Sequence, residues 1–305
     1  MIYPAIIIGA SAAGMSSAIY LKRRGINFLI IGKDIGGEMA LSGKIENYPG
    51  IPEINGIELT KKFKEHIEKY GIEVILDEVK ELKKVDNFYE VLTNKDKYQA
   101  YSLIIATGSR PKKLNIKGEE EFYHKGVSYC SVCDMPLFKD KRVAIIGGGN
   151  SALEAGLMAS DICEFAYVIT KNPLMKGDSV LIEELNKKKN VKIIYNALTQ
   201  EIFGDNFVRG IKYIDLKNNK LEELNVDGVF IHIGMKPNSE FVPNEWNIKN
   251  SYGEIVVNKL CETAIPGIFA AGDVTDIPYK QIGIAVGQGI ISALSLIRYL
   301  NQLKT

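Results

Sequence analysis

The sequence predicts an α/β protein built from two similar nucleotide-binding units, the second inserted into the first. Three observations carry this reading. A strand runs into a glycine loop and a helix at Gly9, the same succession returns at Gly147, and two closing segments match in outline. The closings are Ala106-Thr107-Gly108-Ser109-Arg110-Pro111 and His232-Ile233-Gly234-Met235-Lys236-Pro237. At 305 residues there is room for about two domains of ordinary size, each with its own core.

Residues 5–8 form an unbroken apolar run, the pattern of a strand buried on both faces. A helix over 13–24 and a strand over 28–31 complete a β-α-β opening. Leu59, Phe63, Ile67 and Tyr70 recur at helical spacing, so an amphipathic helix is expected over 59–70, stopped by Gly71. Residues 72–76 resume as strand, 88–93 alternate as part of a small antiparallel meander, and 103–106 read as another buried strand. The second unit repeats the order: strand 142–146, helix 150–160, strand 166–170, helix 180–188 and strand 191–194. An antiparallel stretch over 199–224 and a buried strand over 229–233 follow. Residues 267–273 and the helix after them return to the first unit. The expected fold is therefore α/β with two Rossmann-like (three-layer ββα) dinucleotide-binding domains, one over 1–113 and 239–305, the other over 114–238. Hinges are expected over 111–114 and 237–240.

Composition narrows the partners. Hydrophobic residues at 46% and charged residues at 25% are those of a soluble globular protein. A net charge of +1 leaves no basic excess for phosphate neutralisation, so no nucleic acid is expected. Lys61-Lys62 and Lys187-Lys188-Lys189 read as solvated helix faces. Met1 leads into the run at 5–8 without a basic leader. The apolar stretch 282–297 carries Gln288, two serines and three glycines, and reads as a buried helix rather than a membrane span. A cytoplasmic protein is expected, and there a C-x-x-C is catalytic or metal-binding rather than a structural disulfide.

The first glycine loop, Gly9-Ala10-Ser11-Ala12-Ala13-Gly14, presents backbone N–H groups and a helix N-terminus to a pyrophosphate. Its middle position is Ser11, and the acid expected at the next strand end is replaced by Gly32-Lys33, with Asp34 just beyond. Alone, this loop reads equally as a tight turn. Other segments add weight: Gly36-Gly37-Glu38, Glu46-Asn47-Tyr48-Pro49-Gly50, Ala106-Thr107-Gly108, and Gly272-Asp273-Val274 ahead of Tyr279-Lys280-Gln281 and a helix from Ile282. An Asp at a strand end suits a ribityl or ribose hydroxyl, and a helix N-terminus suits the negative charge of a reduced flavin.

Cys130 and Cys133 form the C-x-x-C just upstream of the second glycine loop, Gly147-Gly148-Gly149-Asn150-Ser151-Ala152. One dithiol between two dinucleotide sites points to an electron relay with a disulfide as its outlet. The alternative, a zinc half-site, lacks further ligands: Cys163 and Cys261 are single and distant, and His66, His124 and His232 show no ligand spacing. Cys163 and Cys261 are expected to be buried small hydrophobes, and the histidines to be structural or surface residues.

Together, the two glycine loops, Gly36-Gly37, Glu46-Asn47-Tyr48-Pro49-Gly50, Ala106-Thr107-Gly108, Cys130-Ser131-Val132-Cys133-Asp134 and Ala270-Ala271-Gly272-Asp273-Val274 resemble the low-molecular-weight thioredoxin reductases over essentially the whole chain. The resemblance implies tightly bound FAD, a homodimer, and reduction of thioredoxin or a thioredoxin-like protein; the apolar stretch already argues for no membrane. Gly9, Ser11, Ala12, Ala13, Gly14, Gly36, Gly37, Glu38, Asn47, Ala106, Thr107, Gly108, Gly272, Asp273, Lys280, Gln281 and Ile282 would then serve FAD. It implies that Cys133 faces the flavin, that Cys130 attacks the partner disulfide, and that Asp134 is the acid-base group. By residue type alone, Asp134 reads equally as a helix N-cap. The family is also expected to turn the inserted domain so that the dithiol meets flavin and partner in alternation. Where the family usually has Gln, this chain has Glu38, a carboxylate that disfavours a reduced anionic flavin.

Gly147, Gly149, Asn150, Ser151, Ala152, Lys171 and Lys176 are the candidates for a nicotinamide cofactor. NADPH-using relatives carry a His-Arg-Arg and a further Arg; here Thr170-Lys171-Asn172 and Lys176 stand instead, with no acid to select NAD. At about 1.5–3 kcal/mol per charge-assisted hydrogen bond, two lost contacts weaken NADPH binding about 10²–10⁴-fold, less what the lysines recover. The expected donors are therefore NADPH or NADH with weakened selectivity, or reduced ferredoxin, or another protein. A peroxiredoxin reductase is a rival reading, although such proteins usually carry an extra redox domain and none precedes Ala5. A flavin-bound redox sensor without turnover is a third.

Overall fold

The computed structural model describes residues 1–42 and 44–303, apart from the side chain of Lys44. The chain divides into two compact units, Met1–Arg110 with Lys236–Thr305, and Pro111–Met235. The chain passes between the units at 110–111 and 235–236, within the short strands Ser109–Pro111 and Met235–Pro237.

In the first unit five parallel strands stand in the order Ile268–Ala270, Leu103–Ile105, Ala5–Ala10, Phe28–Ile35 and Val74–Leu76. Ala5, Ile6, Ile7, Leu103, Ile104 and Ile105 are each 0% exposed, as a strand covered on both faces requires. On one face Ile7, Ile30, Ile104 and Phe269 pack with Met15, Leu21, Leu59, Ile67 and Leu296 from helices Ala12–Arg23, Gly56–Lys69 and Ile282–Gln302. On the other, Ile6, Ile8, Leu103 and Ile105 meet Leu82, Tyr89 and Val91 of the antiparallel strands Val79–Val85 and Phe88–Thr93. Gly71, at φ 63°, ends the Gly56–Lys69 helix as expected, its N–H reaching Glu68 O at 2.8 Å. The strand from Phe28 runs four residues past the expected end, since Ile35 still pairs with Ala10.

The second unit repeats this plan. A parallel sheet runs Val127–Ser128, Gly228–Ile231, Arg142–Ile146, Phe165–Ile169 and Val191–Ile194. Helices Asn150–Ile162 and Ser179–Lys187 contribute Leu153, Ala159 and Leu185 to one core layer. The three antiparallel strands Ala197–Gly204, Val208–Asp215 and Lys220–Asn225 contribute Ile202 and Ile211 to the other.

Helix Ile282–Gln302 is long and apolar enough to cross a bilayer by length and composition. In the structure it packs on helix Ala12–Arg23, with Ala293 and Leu296 fully buried. The contact depends on small residues. A Cβ on Gly289 would lie 2.2 Å from Ala13 O, and Ser17 Oγ donates to Gly289 O at 2.8 Å. Gly289→Val is expected to lower stability by about 3 kcal/mol, read as a reduced midpoint in chemical denaturation.

Candidate active site

Both glycine loops are shaped by close approach of two strand ends. In the first unit, Gly9 has φ 113°, and a Cβ there would lie 2.1 Å from Ala106 O; a Cβ on Gly14 would lie 1.9 Å from Gly9 O. Ser11 at the middle position has φ −117°, an extended conformation that needs no glycine. Its hydroxyl donates to Gly36 O at 2.5 Å, tying the loop to the second glycine turn. Gly36 N–H in turn reaches Ala10 O at 2.8 Å, and Gly37 N–H donates to Asp34 Oδ1 at 2.9 Å. Asp34, one step beyond the position where an acid was sought, thus holds the Gly36-Gly37 turn.

Several other candidates converge within this unit. Asn47 Nδ2 donates to Gln281 Oε1 at 3.0 Å. Asn238 clasps Ala106-Thr107-Gly108: its N–H reaches Gly108 O at 2.9 Å, its Nδ2 donates to Thr107 O at 2.9 Å, and Thr107 Oγ1 donates to Asn238 O at 2.6 Å. Buried Gln288 accepts from Gly272 N–H at 2.8 Å, fixing the turn before Asp273. Sequence reading did not single out Asn238 as a partner of Thr107 or Gln288 as a partner of Gly272; a polar residue inside an apolar helix was the available signal for Gln288. Lys280 bonds Thr275 O and pairs with Glu254 at 3.1 Å. Ile282 begins the long helix, with Gln281 at its N-cap.

Glu38 opens the short helix Glu38–Leu41, and Asp34 and Asp273 are its electrostatic neighbours. Burial, then Asp273, then Asp34 raise its pKa above the usual carboxylate range. Burial likewise raises Asp273, against the opposing pull of Lys280. No hydrogen-bond donor among the described residues serves the Asp273 carboxylate. Gly108, at φ 65°, has open space where a Cβ would stand, and Gly37, at φ 50°, has nothing nearer than 3.7 Å. An open glycine cradle beside a carboxylate in need of hydroxyl donors fits a dinucleotide with a polyhydroxyl chain, as FAD has.

In the second unit, a Cβ on Gly147 would lie 2.1 Å from His232 O and 2.9 Å from Ala152 Cβ, whereas Gly149 faces open space. Asn150 and Asp178 bond each other through Nδ2 to Oδ2 at 3.0 Å and N–H to Oδ1 at 2.8 Å, while Ser151 is exposed. Lys176 N–H donates to Gly148 O at 2.7 Å, laying the segment after Thr170 over the loop. Asn172 Nδ2 bonds Thr170 Oγ1 at 3.4 Å, and the lysines at 171 and 176 are exposed.

Cys130 and Cys133 form a disulfide, half-buried, with Cα atoms 5.3 Å apart. Cys130 caps the four-residue helix Ser131–Asp134, and Cys133 N–H points at Cys130 Sγ from 3.2 Å. Ser128 Oγ accepts from Cys130 N–H at 3.0 Å and donates to Asp134 Oδ2 at 2.6 Å. Asp134 is therefore the last residue of that helix and holds the Ser128 hydroxyl; its side chain does not cap the 3₁₀ turn Met135–Phe138 that follows. His232, set aside as structural, stands beside the dithiol, with Nε2 2.6 Å from Ser131 Oγ. Cys163 and Cys261 are buried, and burial pushes each thiol up to about 11.

Residues 3–289 match the pyridine nucleotide-disulphide oxidoreductase family. The thioredoxin reductase of Ureaplasma parvum is 37% identical over 99% of this chain and 98% of its own length. The NADH dehydrogenase of Bacillus subtilis is 39% identical over 98% of this chain, and an alkyl hydroperoxide reductase protein of Escherichia coli 39% identical over 99%. The chain spans only 58% and 59% of the lengths of those two relatives. Among solved structures, the thioredoxin reductase of Lactococcus lactis has a TM-score of 0.85 at 33% identity, covering 98% of this chain and 99% of that one. A ferredoxin-flavin thioredoxin reductase from Clostridium acetobutylicum has a TM-score of 0.54 at 33% identity, covering 98% of each. The chain belongs to the pyridine nucleotide-disulphide oxidoreductase family. Within it, the chain falls in the low-molecular-weight thioredoxin reductase group, FAD-dependent oxidoreductases with a redox-active disulfide.

A carboxyl whose pKa is raised on folding adds stability below its unfolded pKa, and that contribution is lost as pH rises through the folded value. Glu38 and Asp273 are both raised, so both weigh against the fold at neutral pH. Glu38→Gln is expected to raise the thermal midpoint at pH 7–8, with the gain disappearing below the usual glutamate range. After anaerobic reduction at pH 8, iodoacetamide is expected to label Cys130 and Cys133 quickly, and Cys163 and Cys261 at least about tenfold more slowly, as read by mass spectrometry of the folded protein.

Proposed function

We propose that this protein is a thioredoxin-disulfide reductase, passing electrons from NAD(P)H to the Cys130–Cys133 pair and on to the disulfide of thioredoxin or a thioredoxin-like protein. The observation that carries the reading is a half-buried C-x-x-C disulfide whose turn also holds a carboxylate, Asp134, through Ser128. FAD, if held in the first unit, would supply two-electron redox chemistry between the donor and that disulfide.

The first unit is the FAD-binding domain. Gly9, Ser11, Ala12, Ala13 and Gly14 would hold the pyrophosphate of FAD, Asp273 its ribityl or ribose hydroxyls, and Gly36, Gly37, Glu38, Asn47, Ala106, Thr107, Gly108, Gly272, Lys280, Gln281 and Ile282 would complete the site. The second unit is the nicotinamide-type domain and carries the dithiol. Cys133 would be the sulfur that exchanges electrons with the flavin, Cys130 would attack the partner disulfide to form a mixed disulfide, and Asp134 would hold and return the thiol proton through its hydrogen-bonded position. The working form is a cytoplasmic homodimer that engages neither membrane nor nucleic acid.

The donor site supports weak discrimination between NADPH and NADH at Gly147, Gly149, Asn150, Ser151 and Ala152. Thr170 and Asn172 are hydrogen-bonded to each other, leaving exposed Lys171 and Lys176 as point charges for a 2′-phosphate. The lack of the arginines that NADPH-using relatives carry, with Lys171, Asn172 and Lys176 in that segment instead, favours a second reading in which reduced ferredoxin is the donor.

The protein purified from flavin-replete cells is expected to be yellow. Cys133→Ser should abolish thioredoxin reduction, by at least about 10³-fold, while FAD stays bound; a colourless protein overturns the proposal. Anaerobic stopped-flow mixing should show flavin bleaching by NADPH and NADH at rates within about tenfold of each other. Bleaching by reduced ferredoxin alone assigns the second reading, and millisecond bleaching by NADPH alone refutes the weakened selectivity.

A further inference from the structure

We propose that His232 is a positioning residue for the dithiol, its imidazole holding the Ser131 hydroxyl so that the Cys130–Cys133 turn keeps the geometry in which the disulfide closes. The proposal rests on the reading that this pair cycles between disulfide and dithiol.

Ser131 lies between the two cysteines as the first residue of the helix Ser131–Asp134 and is 5% exposed. A hydroxyl buried there needs a partner, and His232 Nε2, 101 residues away in sequence, lies 2.6 Å from it. The ring's own base is rigid. His232 N–H donates to Ile146 O at 2.7 Å at the end of a central strand, and its carbonyl lies where a Cβ on Gly147 would stand at 2.1 Å. The imidazole is thus mounted on the sheet end that shapes the second glycine loop, and it reaches from there into the C-x-x-C turn.

The two ends of the turn are secured separately. Ser128 accepts from Cys130 N–H and donates to Asp134, so Ser131 is the point at which the middle is held. Burial pushes His232 down to about 4, so the ring is neutral at physiological pH. A neutral ring does not act as the cation that would stabilise a thiolate, so its effect is on geometry. It fixes the spacing at which two thiols can close, which raises their effective concentration toward each other.

Reduction adds two electrons and two protons, breaks the sulfur–sulfur bond and leaves two thiols. An ordering contact that favours closure therefore moves this equilibrium toward the disulfide. A hydrogen bond of ordinary net worth corresponds to a shift of roughly 3–10-fold in the constant, or about 15–30 mV for a two-electron couple.

The test uses the full-length FAD-loaded protein in anaerobic mixtures of dithiothreitol and its cyclic disulfide, which exchange the electron pair and two protons with the cysteines. Thiols are trapped with a maleimide that shifts gel mobility. His232→Ala and Ser131→Ala are each expected to shift the constant toward the dithiol by about 3–10-fold, and the double variant no further. His232→Gln, whose amide nitrogen reaches about as far as Nε2, is expected to recover most of the wild-type constant. Ser131→Ala, which removes one oxygen, carries the test should His232→Ala fail to fold. An unchanged constant in the folded single variants, or shifts that add in the double variant, overturns the proposal while leaving the reductase reading intact. A wild-type pair that does not cycle in the buffer overturns both.

Discussion

A backbone carbonyl pressed against a glycine α-carbon recurs in both units, and each nucleotide loop is built on it. Ala106 O stands 2.1 Å from the place of a Cβ on Gly9, and His232 O stands 2.1 Å from that place on Gly147. Ala106 and His232 open the two matching closing segments, so the internal repeat is one steric device used twice. Parallel strands that end this close leave no room for a side chain. The space beyond them goes to the helix N-terminus and to whatever the loop binds.

Much of the fold was legible because it is written in short-range patterns. Short Ile-, Val- and Ala-rich stretches gave the parallel strands to within a residue at Arg142–Ile146 and Val191–Ile194. Helical spacing of Leu59, Phe63 and Ile67 located their helix, and Gly71 its end. The long apolar segment reads as a core helix because glycines and serines interrupt it, and those residues make the contact with Ala13 and Ser17. Strand ends were less legible. The one from Phe28 continues to Ile35 through a register shift, which no propensity announces.

The candidate sites divide along the same line. Glycine positions and the C-x-x-C carry their chemistry in their spacing, and the structure sets them at loops and turns. Ser11 departs from the glycine pattern without a backbone cost, since its φ is ordinary and its hydroxyl binds Gly36 O. Partners far apart in sequence were not legible: Asn238 for Thr107, Gln288 for Gly272 and His232 for Ser131. Such pairs exist only once the sheet has brought remote strand ends together, and a single histidine or amide offers no spacing to read.

The two remaining cysteines have a consequence for traffic of sulfur chemistry. Both are buried, and burial pushes each thiol up to about 11, so neither presents a ready nucleophile to an incoming oxidised protein. Every encounter with a foreign disulfide is thereby channelled to one sulfur pair, and dead-end adducts elsewhere on the surface are avoided without any need to eliminate cysteine from the chain.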